Sequence, residues 1–151
     1  MLNYYRNPVQ HLFFNESIIV CSMLSFGVDH TWKNGVNVEE LFMRSCYLAN
    51  MIKREEVMEK KITAKTREVF DETLRFMEDQ RLMTLVKRDG QLIAHPKSSG
   101  EATILLIGSF CWPLIDTYYI TAVFALSLVK RKDVDDAKFS KDVQWVGETM
   151  Y

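Results

Sequence analysis

The sequence predicts a mainly α-helical domain with one β-hairpin, a winged-helix-like element, after its third helix. Three observations carry that reading. Apolar residues recur at helical spacing through most of the chain. The period turns strand-like once, between Met83 and His95. The two strand-like runs meet at Asp89-Gly90, a dipeptide suited to a type I′ turn, whose central positions both need positive φ. The 151 residues amount to about one domain, and 48% apolar against 26% charged residues is ordinary globular usage, which excludes disorder of the whole chain. The expectation is a single helical domain over 1–151, with a linker at 133–138 before a last helix.

Asn7-Pro8 opens the first helix, because proline at the first helical position has no orphan N–H to leave unpaired. Val9 to Phe26 is apolar on nearly every side, as in a central buried helix, and Gly27 ends it. Val28 to Val36 reads as a loop, with Lys33-Asn34-Gly35 as a turn signal. Asn37 with Glu40 has capping-box spacing and starts a second helix, whose expected apolar face carries Leu41, Phe42, Cys46, Tyr47, Leu48, Met51 and Ile52. The run Lys53 to Lys61 interleaves acids and bases and reads as a solvated connection.

Thr63 or Thr66 caps a third helix to about Leu82, with Val69, Phe70, Leu74, Phe76 and Met77 on its apolar face. The hairpin Met83 to His95 follows, then a break at Pro96 to Gly100, where Ser98 or Ser99 suits a helix cap. From Ala102 to Val129 only Asp116 is charged, and Pro113 interrupts any helix near Trp112. As one helix this stretch would exceed a ~30 Å hydrocarbon core, and Lys130-Arg131-Lys132, Trp112 and Tyr118-Tyr119 are features of a membrane boundary. Asp116 at mid-span and the division at Pro113 favour two buried helices instead. Phe139, Val143, Val146 and Met150 define the last helical face.

Lys and Arg number 19 and Asp and Glu 20, so no strong field draws the chain to nucleic acid. The third helix mixes Lys65, Arg67 and Arg75 with Glu68, Asp71, Glu72, Glu78 and Asp79, which phosphates would repel. Cys21, Cys46 and Cys111 are far apart and show no zinc spacing; reduced, mostly buried thiols are expected. His11 with Glu16 has the outline of a His-x4-acid base, but residues five apart on a helix point about 140° from each other, so the carboxylate cannot orient the imidazole. His30 and His95 read as surface or turn residues. No phosphate-binding glycine loop or nucleophile motif occurs. The residues themselves therefore assign no catalytic, cofactor-binding or metal-binding position. From them alone, a stand-alone helical or winged-helix interaction module is one reading.

The order of the elements resembles the C-terminal region of the glycerol-3-phosphate / dihydroxyacetone-phosphate acyltransferase family. The resemblance rests on Tyr4-Tyr5-Arg6-Asn7 and His11-Leu12-Phe13, and on Glu78-Asp79-Gln80 through the Asp89-Gly90 hairpin. It continues through Phe110-Cys111-Trp112-Pro113-Leu114-Ile115-Asp116-Thr117-Tyr118 and ends on Val143-Gln144-Trp145-Val146-Gly147-Glu148. It implies an accessory domain of an enzyme that moves an acyl group from acyl-CoA to glycerol 3-phosphate in phospholipid synthesis. The alternative acceptor is dihydroxyacetone phosphate, in ether-lipid synthesis. It further implies that the His-x4-Asp base lies in an upstream catalytic domain, that this sequence is truncated at both ends and inactive alone, and that it needs no cofactor of its own. The implied location is intracellular and membrane-associated, at the mitochondrial outer membrane rather than the peroxisome. The implied partners are the catalytic domain and a membrane surface, with acyl-CoA and glycerol 3-phosphate reached only through that domain.

Overall fold

The computed structural model describes residues 12–52, 67–128 and 136–150. In chain order the elements are α1 (Phe14–Leu24), α2 (Val28–Asn34), β1 (Val36–Asn37), α3 (Val38–Ile52), α4 (Arg67–Asp79), β2 (Met83–Arg88), β3 (Gln91–Pro96), a 3-10 turn (Ser98–Gly100), α5 (Glu101–Ser109), α6 (Trp112–Leu128) and α7 (Asp136–Met150). The architecture is mainly α with a small antiparallel sheet, as expected. The chain divides into two compact units, Met1–Cys111 and Trp112–Tyr151. The expected Asn7-Pro8 helix start, His11, the Lys53 to Lys61 run, the Thr63 or Thr66 cap and Lys130-Arg131-Lys132 lie outside the described residues.

In the first unit α1 is the central helix. Its sequence has no polar face, and Phe14, Ile18, Ile19, Val20, Cys21 and Met23 are all buried. Gly27 lies beyond its end with φ +100° and opens α2, so the expected loop at 28–36 is a helix followed by a short strand. The Thr31 hydroxyl, fully buried, donates to the Met23 carbonyl at 2.9 Å and ties α2 to the last turn of α1. Arg44, on α3, donates to the Ser25 carbonyl at 3.1 Å, and its guanidinium lies 3.6 Å from the centre of the Phe26 ring. A cation at that position complements the carbonyl end of α1.

The N-cap of α3 forms as its sequence predicts: Asn37 Oδ1 accepts from the Glu39 and Glu40 amides at 2.8 and 3.3 Å. The buried stripe of α3 is Val38, Leu41, Ser45, Ala49 and Ile52. Tyr47, expected on that face, is 73% exposed. At about 100° per residue Tyr47 lies roughly 120° round the helix from Leu41, off the buried line. On α4, Phe70, Thr73, Leu74 and Met77 are buried while Phe76 is exposed. That helix ends at Asp79, three residues before the expected Leu82. Leu82 N–H reaches the Met77 carbonyl at 3.0 Å and Arg81 N–H the Glu78 carbonyl at 2.8 Å, with Arg81 at φ +60°. This is a Schellman ending built on an arginine rather than a glycine.

The hairpin pairs Met83 with Pro96 through to Arg88 with Gln91, and Asp89 and Gly90 take φ values of +51° and +79°, as a type I′ turn requires. β1 adds to the other edge of β3, Val36 facing Ala94, so the sheet has three strands in the order β1-β3-β2 rather than two. Two residues are too short a run to show a strand period. Glu78 also accepts the Leu85 amide at 2.8 Å, clamping α4 to β2. The core of this unit joins Phe70, Leu74 and Met77 of α4 to Leu41 of α3, Ile19 and Met23 of α1, Met83 and Ala94 of the sheet and Ile104 of α5. Phe42 stacks edge-on against Phe70 at 5.1 Å. No side chain caps α5: Ser98 and Ser99 lie in the 3-10 turn, and Gly100 supplies the N-cap backbone.

In the second unit, α6 begins where the proline predicts. Pro113 sits in the first turn, where its missing N–H breaks no helical bond. The expectation of two buried helices holds for α5, which buries Ile104, Ile107 and Gly108, and not for α6. Among the described side chains of α6 only Ile120 is buried, while Trp112, Tyr119, Val123 and Leu126 are exposed. Helix α7 starts at Asp136, inside the stretch expected as linker, and Phe139 meets Phe124 of α6 at 5.5 Å.

Candidate functional site

The residues singled out in the sequence do not converge. Glu16 is half-buried on α1, with Oε2 unpartnered among the described residues. His30 is exposed, on α2, a surface residue as expected. His95, expected at the surface or in a turn, is half-buried in β3, its Nδ1 3.0 Å from the Pro96 carbonyl. Asp116 is half-buried in the first turns of α6. Among the described residues no group of three or more His, Cys, Asp or Glu side chains is placed to hold a metal ion.

A concave feature of the first unit is a cleft of about 470 Å³ lined by Asn37, Val38, Glu39, Glu40, Arg67, Gly90, Gln91 and Leu92. Three segments make it: the start of α3, the start of α4 and the hairpin turn. Arg67 Nη1 donates to both Glu39 oxygens at 2.6 and 2.7 Å, and its Nε donates to both Asp71 oxygens at 2.9 and 3.1 Å. The guanidinium also lies 5.0 Å from the centre of the Phe42 ring. The hydrogen bonds to Glu39 foremost, with Asp71 adding to them, hold Arg67 above its ordinary range. Asn37 Nδ2 donates to Gln91 Oε1 at 2.8 Å across the cleft mouth.

Chemically this arrangement is a clasp. Its one guanidinium is already engaged by two carboxylates, so it offers no spare charge to a phosphate. Both ion pairs are substantially exposed, so each contributes only about 0.5 kcal/mol. What the clasp does is fix the first turns of α3 and α4 against the hairpin. The Arg67–Asp71 half is visible in sequence as an i,i+4 pair. The Glu39–Arg67 half joins residues with no local signal to relate them. Removing the cap with Asn37→Ala is expected to cost about 1 kcal/mol in urea unfolding, with Asn37→Asp retaining most of that stability.

The second surface feature is on α6. Trp112, Tyr119, Val123 and Leu126 are 47, 63, 49 and 72% exposed. At about 100° per residue they fall within roughly 60° of the helix circumference, an apolar stripe on the order of 20 Å long. Trp145 on α7 is also exposed. Among the described residues no single helix is long and apolar enough to cross a membrane.

Compared with known families, residues 1–151 match the model described as the glycerol-3-phosphate acyltransferase C-terminal region. No curated protein and no solved structure matches the chain.

Proposed function

We infer, from the premise that this chain belongs to the glycerol-3-phosphate acyltransferase C-terminal region family, that it is the accessory domain of an acyl-CoA-dependent glycerol-3-phosphate 1-O-acyltransferase. It braces a linked catalytic domain and helps seat it on a membrane, with the mitochondrial outer membrane as the expected site. Acyl-CoA and glycerol 3-phosphate are then handled by the linked domain, and this chain contributes packing and adhesion.

The observation that carries the reading is the contrast between the two units. The first holds its polar groups in structural pairs, such as Asn37 with Gln91 and Arg67 with Glu39 and Asp71. The second presents aromatic and aliphatic side chains along one line of α6, and Lys130-Arg131-Lys132 follow that helix in sequence. An exposed line of aromatic and aliphatic side chains is the kind of surface that contacts a membrane or a partner, and this supports the seating role. Adjacent basic residues add about 1 kcal/mol each toward an anionic leaflet.

Flotation with vesicles containing phosphatidylserine tests the membrane half. The chain is expected to float at low salt and to be partly released at high salt, and the Lys130→Ala/Arg131→Ala/Lys132→Ala variant to float less. No flotation of either protein would remove membrane seating from the account, and equal flotation of both would remove the part given to Lys130-Arg131-Lys132. The bracing half is tested by the thermal stability of the catalytic domain with and without this chain linked to it, where an unchanged Tm counts against it.

A further inference from the structure

Gly108 of α5 packs against α1 so closely that a Cβ there would lie 2.9 Å from Val20 Cγ1. That approach gathers a small polar cluster inside an otherwise apolar contact. The Ser17 hydroxyl and the Cys21 thiol both donate to the Gly108 carbonyl, at 3.4 and 3.3 Å, and the Cys111 amide reaches the same carbonyl at 3.1 Å. Cys21 Sγ and the Cys111 amide thus meet at one carbonyl oxygen, which sets the two cysteines side by side. Cys21 is 8% exposed and Cys111 fully buried.

The two thiols are chemically unequal. The interaction with the Cys21 side chain foremost, and with Ser17 after it, lowers Cys111 from the ordinary thiol range against its burial. The neighbouring Cys111 and then burial push Cys21 far above it. Cys111 is therefore the thiolate-forming member, and the thiolate is the nucleophile.

We propose that Cys21 and Cys111 form an oxidation site, at which a hydroperoxide converts two adjacent buried thiols into a disulfide tying α1 to the end of α5. The Cys111 thiolate attacks one peroxide oxygen. The O–O bond breaks, the leaving oxygen departs as water or an alcohol after taking up a proton, and Cys111 becomes a sulfenic acid. The Cys21 sulfur then attacks the Cys111 sulfur, the S–O bond breaks, and the hydroxyl leaves as water with the Cys21 proton. Two thiols and one hydroperoxide give one disulfide, one water and one water or alcohol. The sulfurs are oxidised and the peroxide oxygens reduced. Burial of the pair selects a small oxidant, which a hydroperoxide is and a glutathione-type disulfide is not. The bond would lie where the chain leaves the first unit at Cys111, and it would close a long loop, the case in which a cross-link constrains the unfolded chain most.

The test is hydrogen peroxide treatment of the reduced 151-residue chain, followed by proteolytic mapping by mass. The expected result is a dithiothreitol-reversible link between the peptides carrying Cys21 and Cys111, with loss of two hydrogens, and a Tm raised by about 10 °C. The Cys46→Ser variant keeps the link. Persistence of both thiols in the folded chain, sulfinic acid at either position, or a link made through Cys46 would each overturn the assignment.

Discussion

Phe70→Ala is expected to lower the unfolding free energy by about 4 kcal/mol, a large share of the 5–15 kcal/mol that ordinarily holds a domain together. Phe70 is fully buried at the centre of the first unit's core and packs edge-on against Phe42 at 5.1 Å. Truncation leaves a cavity whose walls come from different helices and the sheet, so no single element can move to fill it. Its ring also lies 5.9 Å from the Arg67 guanidinium, so the mutation loosens the base of the clasp as well. Urea unfolding measures the loss, and Phe70→Leu is expected to recover about half of it. A cost below 1 kcal/mol would mean that the core described here is not the one that holds the fold.

Gly35→Ala is the second severe change, at about 3 kcal/mol. Gly35 has φ +73° and ψ −174°, a conformation close to glycine-only. A Cβ there would meet Ile93 Cγ2 at 2.6 Å and the Ala94 carbonyl oxygen at 2.9 Å. The second contact is backbone, which cannot rotate away, so β1 would be pushed off β3. Gly90→Ala is the matched control. Its φ is +79°, but nothing lies within 4 Å of the added atom, so only the backbone penalty of about 1 kcal/mol remains. Melting both variants separates conformational strain from collision, and equal losses would show that the β1–β3 contact is looser than described.

These positions also show how far the sequence could be read. The hairpin was legible because its turn type demands positive φ at two successive residues, and Asp89-Gly90 is among the few dipeptides that supply it. The cap at Asn37 and the break at Pro113 were legible for the same local reason: each follows from one residue's own donors, acceptors or ring. What escaped was non-local. Arg81 ends α4 in a conformation that glycine usually takes, because the Met77 and Glu78 carbonyls find partners there. The buried face of α3 takes Ser45 and Ala49 rather than Tyr47, a choice made by which side of the helix meets the core and not by side-chain polarity. Glu39 with Arg67 and Cys21 with Cys111 are pairs made only when the chain folds. The apolar composition of α6 was plain, but composition does not say whether such a helix is covered by its own chain, and Trp112, Tyr119, Val123 and Leu126 are exposed.

The family match assigns this chain to the C-terminal region of glycerol-3-phosphate acyltransferases. The most direct measurement is acylation of glycerol 3-phosphate from labelled acyl-CoA, with this chain alone, with a family catalytic domain alone, and with the two linked. The account predicts no product from the chain alone and more from the linked protein than from the catalytic domain by itself. Turnover by the chain alone, abolished by His11→Ala or Glu16→Gln, would contradict it.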